Sequence, residues 1–164
     1  MKTKNKLLTL LILSSSAITS TALINKLIKI KAIKDNISDN QETYCYSWRL
    51  GDIFYTKTGT GKPILLIHDL NAASSIHEWS QLIPLLSKNY TVYAMDLLGC
   101  GKSEKVNTTY TNYLYVQLIS DFIKSEIGHR VNIIATGESA SVSIMACSNN
   151  PELFDQMMLL NPLS

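Results

Sequence analysis

The sequence predicts an α/β fold with a mainly parallel sheet, and three observations carry that prediction. Short apolar runs of strand type recur at residues 64–67, 91–95, 131–135 and 157–160. Segments with helical spacing stand between them, at residues 76–86, 113–127 and 140–148. The connections are short and no internal repeat is visible. A strand covered by helices on both faces reads as an unbroken apolar run, and parallel neighbours need a crossover between them.

The elements follow in order. Residues 44–50 and 52–57 are rich in aromatic and β-branched side chains around Gly51, the pattern of a small antiparallel pair. Residues 58–63, Thr-Gly-Thr-Gly-Lys-Pro, form a turn before the strand at 64–67. In residues 76–86, Trp79, Leu82, Ile83 and Leu86 share one side of a helix, and Pro84 predicts a kink or an early break. The strand at 91–95 runs into a glycine-rich loop, Asp96-Leu97-Leu98-Gly99-Cys100-Gly101-Lys102-Ser103. Residues 113–127 form a long amphipathic helix ended by Gly128. Residues 151–155 read as a solvated loop, and the strand at 157–160 stops at Asn161-Pro162.

A chain of 164 residues, 46% hydrophobic and 17% charged, is enough for one domain with a core. The net charge of +2 hides a division: residues 1–34 carry seven lysines and no acid, while residues 35–164 carry eight basic and thirteen acidic side chains. A nucleic-acid-binding fold needs its basic groups on the folded part, so no nucleic acid partner is expected. Cys45, Cys100 and Cys147 are widely spaced with no CxxC pair, so neither a disulfide framework nor a metal knuckle is expected.

Lys2, Lys4 and Lys6 precede an apolar stretch at residues 7–24, near the lower limit of about 17 residues for a spanning helix. Ser20-Thr21-Ala22 offers the small residues of a signal-peptide cleavage site. Lys26, Lys29, Lys31 and Lys34 follow at once, and dense positive charge there resists translocation and favours anionic headgroups. The expectation is an apolar N-terminal helix serving as a membrane anchor within residues 1–34, touching lipid through residues 7–34. A cleaved secretory signal is the alternative. Residues 35–43 read as a linker, and residues 44–164 as the folded domain.

Gly137-Glu138-Ser139-Ala140-Ser141 lies between a predicted strand and a predicted helix and matches G-x-S-x-G except for its last residue. A sharp strand-to-helix turn needs small neighbours around a nucleophile, and the first N–H groups of the following helix can stabilise an oxyanion. Ser139 is therefore the candidate nucleophile; as a helix N-cap it would have no chemistry. Gly99 and Gly101 invite a dinucleotide reading, but Glu104 stands where the third glycine of that fingerprint belongs, and Lys102 lacks the rest of a phosphate-binding loop. No organic cofactor is expected.

Taken as an ordered set, these motifs resemble the N-terminal half of an α/β-hydrolase. Leu65-Leu66-Ile67-His68-Asp69 is similar to the family's third strand ending in His-Gly, and Trp79 stands at the usual aromatic position of the first helix. Residues 96–103 resemble the D-x-x-G-x-G-x-S loop, and residues 137–141 the nucleophile elbow. Ile-His-Asp-Leu-Asn together with the anchor further resembles small membrane-anchored α/β-hydrolases of low-GC Gram-positive bacteria. The resemblance implies Ser139 as nucleophile, the backbone N–H groups of Ala140 and Leu70 as oxyanion hole, and His68 as a structural residue near the site. Asp96 would fix its own loop. Asp69 and Glu138 depart from the family pattern, and a carboxylate near a developing oxyanion opposes it.

After Ser139 the sequence holds no histidine, and its later carboxylates are Glu152 and Asp155. The family's acid and base follow later strands, so the expectation is about six strands of an incomplete domain, a fragment or a truncated product without turnover. The reading is a serine hydrolase acting on an ester, thioester or amide through an acyl-enzyme, with its acyl substrate and oligomeric state undefined. The alternative is a non-catalytic, membrane-tethered binding or scaffold protein of the same fold.

Overall fold

The computed structural model describes residues 42–162; the expected anchor, at residues 1–34, lies outside the described residues. Among the described residues no helix is long and apolar enough to cross a membrane.

A six-stranded sheet organises the domain: β1 (Thr43–Trp48), β2 (Gly51–Thr58), β3 (Lys62–Ile67), β4 (Tyr90–Met95), β5 (Val131–Thr136) and β6 (Phe154–Leu160). The spatial order is β1-β2-β4-β3-β5-β6. The pair around Gly51 is antiparallel, as its composition predicts, and β2 runs antiparallel to β4. The other neighbours, β3 with β4, β3 with β5 and β5 with β6, are parallel.

The unbroken apolar run of β3 is explained by burial on both faces. Leu65 and Ile67 enter a large core with Ile133, Leu118, Ile119 and Phe122. Ile64 and Leu66 point to the opposite face, against Trp79, Ile83, Val92 and Ile134. Alternation of period two thus divides one apolar strand between two cores.

The helices differ from the sequence pattern in instructive ways. The expected helix at 76–86 is broken: a 3-10 turn at Ile76–Trp79 is capped by the Ser75 hydroxyl, and a single α-turn, α1 (Ile83–Leu86), carries Pro84 near its start. Pro84 cannot accept a place inside a longer helix, because it lacks the N–H that the ladder requires. The second helix, α2 (Asn112–Phe122), is capped by the Thr111 hydroxyl, widens into a π-type turn at Ile123–Ile127 and ends at Gly128 with φ 73°. The third, α3, spans Glu138–Asn149.

β6 starts three residues earlier than its apolar run, so the segment at 151–155 is not wholly a solvated loop. Pro151–Leu153 forms a 3-10 turn, and Phe154 is buried beside Val131. Its carbonyl accepts two hydrogen bonds from the Arg130 guanidinium, at 3.0 and 2.6 Å.

Candidate active site

The site lies where β3 and β5 end side by side in the parallel sheet, so the loops after them meet. β3 delivers His68-Asp69-Leu70-Asn71, and β5 delivers Gly137 and the start of α3.

His68 is fully buried. Its Nε2 accepts from the Leu97 N–H at 3.0 Å, which assigns the proton to Nδ1, placed 2.7 Å from the Asp69 carbonyl. The ring thus ties the β3 loop to the β4 loop. Asp96 does similar work. Its carboxylate accepts the N–H groups of Ile76 and Lys102, each at 2.7 Å, and its carbonyl accepts the Ser103 hydroxyl. Both side chains are committed to loop geometry.

The strand-to-helix turn consists of one residue. β5 ends at Thr136, α3 starts at Glu138, and Gly137 between them adopts φ 61° and ψ −133°. Side-chain-bearing residues reach this region only at a cost, and it is where a nucleophile elbow places its reactive residue. The sequence reading placed Ser139 at the tip; in the structure the tip is Gly137, and Ser139 lies two residues further on, inside the first turn of α3. Its side chain is fully buried, and its hydroxyl donates to the Thr136 carbonyl at 2.8 Å. The packing of α3 explains this. Ser139, Ala140, Val142, Ser143 and Ala146 form its buried side, and the small members let the helix lie close to the sheet.

The backbone donors shift with the turn. The Ala140 N–H closes onto the Gly137 carbonyl at 3.2 Å. The residue that follows the tip is Glu138, and its N–H donates to Asp69 Oδ1 at 2.8 Å. The Leu70 N–H donates to the same oxygen, also at 2.8 Å. One N–H after the elbow and one from the β3 loop are the donor pair from which an oxyanion hole is built. Here they converge on a carboxylate oxygen of the chain itself. Asp69 Oδ2 accepts from the Asn71 side-chain amide at 3.1 Å. Burial alone would raise the Asp69 carboxyl, but the hydrogen bonds from Glu138, Asn71 and Leu70 outweigh it and hold the group below the ordinary carboxylate value.

Asp69 and Gly137 share one space. A Cβ built on Gly137 would overlap the Asp69 carboxylate and lie 2.8 Å from its Oδ2. A signal for this arrangement was present in the sequence: with the strand running one residue past its apolar run, through Thr136, a one-residue turn falls at Gly137, and Ser139 joins the buried side of α3. Asp69 stands out in the sequence as a departure from the family pattern, but its contact with the turn joins loops 68 positions apart and has no local trace.

Residues 64–159 match the model of the Alpha/beta hydrolase family. The chain is 32% identical over 108 residues to the 2-hydroxy-6-oxo-6-(2'-aminophenyl)hexa-2,4-dienoic acid hydrolase of Metapseudomonas resinovorans, and 30% identical over 108 residues to the soluble epoxide hydrolase of a Corynebacterium strain. Each match covers 65% of this chain and 37% of the relative, so the chain spans well under half the length of these two proteins. Among solved structures, a serine hydrolase involved in carbazole degradation superposes with a TM-score of 0.71 at 26% identity, over 76% of this chain and 49% of that one. The strand order, the loop motifs and these matches agree, and the chain belongs to the alpha/beta hydrolase family.

Proposed function

We propose that this chain is a non-catalytic member of its family, a binding module in which Asp69 occupies the position where acyl transfer would take place. The observation that carries the reading is the shared space of Gly137 and Asp69: the tip of the turn has no side chain, and its room is filled by a carboxylate that also takes both backbone donors. A carboxylate held there blocks an approaching acyl oxygen by volume and by like charge.

The other reading is a serine hydrolase using Ser139. The family supports it, since relatives of similar sequence are hydrolases by name. The geometry favours the first reading, because the Ser139 hydroxyl is buried and directed to a backbone carbonyl. Treatment of the whole protein with a fluorophosphonate probe separates them. No labelling is expected; labelling that is lost in Ser139→Ala would overturn the non-catalytic reading.

The membrane tether at residues 7–34, and with it the likeness to membrane-anchored relatives of Gram-positive bacteria, belongs to the same proposal. It is supported by the lysine-flanked apolar stretch alone. Retention of the protein in the membrane fraction after alkaline carbonate extraction is expected, and release into the supernatant would argue against an integral anchor.

A further inference from the structure

Beside the turn lies a cavity of about 230 Å³, bounded by the β3 loop, the Gly99-Cys100 turn, the start of α2 and the start of α3. Most of its polar groups are already engaged. The Tyr115 hydroxyl donates to the Leu98 carbonyl at 3.1 Å, and the Tyr110 hydroxyl is tied to the backbone of Val106. Asn71 donates to Asp69 and accepts from the Ala73 N–H, and the Cys100 thiol faces the Asn71 carbonyl. The two tyrosines therefore present ring surface rather than hydroxyls, and their rings lie nearly parallel, 6.3 Å apart.

Left over are the exposed Asn112 amide and, as the one charged side chain of the lining, the Glu138 carboxylate. Among the described residues no hydrogen bond or ion pair reaches it, and no Lys, Arg or His lines the cavity. Glu138 is in the first turn of α3, where the helix favours negative charge. Burial raises the Tyr115 phenol first, and the fields of Cys100, Tyr110 and Glu138 add to this, so the Glu138 charge is felt on the tyrosine side of the cavity.

We propose that this cavity takes the ammonium head of a small alkylamine, paired with the Glu138 carboxylate and packed against the rings of Tyr110 and Tyr115. An uncompensated carboxylate beside aromatic faces attracts a cation by charge and by the ring quadrupole, and it repels a carboxylate ligand of the same size. The inference rests on the binding reading above, and it names the ligand class for that reading.

The test is calorimetric titration of the whole chain in a nonionic detergent with butylammonium chloride and, separately, sodium butyrate. Saturable binding of butylammonium and none of butyrate is expected. Glu138→Gln keeps the shape and removes the charge, and should weaken butylammonium binding about tenfold or more. Butyrate binding as well as butylammonium, no butylammonium binding, or binding unchanged in Glu138→Gln would each overturn the proposal. The ligand comparison on the unaltered chain decides the matter even if the variant does not fold. Fluorophosphonate labelling of the same sample distinguishes the two failures: labelling removes the binding reading, whereas absence of both labelling and ammonium binding removes only the ligand class.

Discussion

Gly137→Ser restores a side chain at the tip of the turn, and its consequences can be worked out from the geometry. The first cost is conformational. At φ 61° and ψ −133° a residue with a Cβ is strained by about 1–3 kcal/mol. The second is displacement. The new Cβ would overlap the Asp69 carboxylate, which must leave and give up its bonds from Leu70, Glu138 and Asn71. Hydrogen bonds to a charged group contribute about 1.5–3 kcal/mol each when buried, but Asp69 is partly exposed and water replaces much of that, so about 1–2 kcal/mol is a reasonable net loss. The single substitution should therefore destabilise the domain by about 2–5 kcal/mol. Asp69→Gly removes the obstacle. In the Asp69→Gly background, which has already given up those bonds, Gly137→Ser adds only the strain, so the two substitutions should couple by about 1–2 kcal/mol. Urea unfolding followed by the fluorescence of the two buried tryptophans, Trp48 and Trp79, measures all four proteins. Costs that add within about 0.5 kcal/mol, or a Gly137→Ser protein as stable as the original, would show that the two residues do not compete for one space.

Three further predictions follow from the same structure. The Asp69 carboxyl is held below its ordinary value in the folded state, so its contribution to stability is fully present above the unfolded carboxyl range and is lost as pH falls through the folded value; the acid limb of stability should flatten in Asp69→Asn, as read from denaturation midpoints at a series of acidic pH values. Ser139→Ala removes the hydroxyl that donates to the Thr136 carbonyl at 2.8 Å and lies 3.4 Å from the Ile67 carbonyl, and should cost about 0.5–1.5 kcal/mol in a denaturant titration, a structural effect that a surface-exposed nucleophile would not show. Leu66→Ala, at a fully buried position on the smaller core face, should cost about 2–5 kcal/mol, and a loss below about 1 kcal/mol would contradict the two-sided burial of β3.

Much of the fold is legible in the residue pattern because it rests on local rules. Apolar runs mark the strands, Pro84 marks the broken helix, and Gly128 closes α2 in the left-handed conformation. β3 starts at Lys62, inside the expected turn at 58–63, and the largest departure among the strands is the start of β6. Phe154 and Asp155 sit outside the apolar run and join the strand through pairing with β5 and the Arg130 contact to the Phe154 carbonyl, neither of which leaves a local trace. Within the site, His68 accepts the Leu97 N–H and Asp96 the Lys102 N–H, contacts that hold the loops after β3 and β4. The turn was harder to read. Two overlapping pentapeptides, at residues 135–139 and 137–141, present small residues at similar spacing, and only the second has a serine at its centre.

The sequence by itself determined the α/β class, the order of the elements and the family likeness, because hydrophobic period, glycine and proline act over a few residues at a time. Only the tertiary structure decided which residue stands at the tip of the turn and what fills the space around it. α3 has to bury Ser139, Val142, Ser143 and Ala146 against the sheet, and that requirement moves the turn to Gly137. Parallel pairing of β3 with β5 then brings Asp69 to the vacant side of Gly137, where two backbone N–H groups hold its carboxylate. That contact joins distant parts of the chain through volume and charge, and no window of sequence contains it.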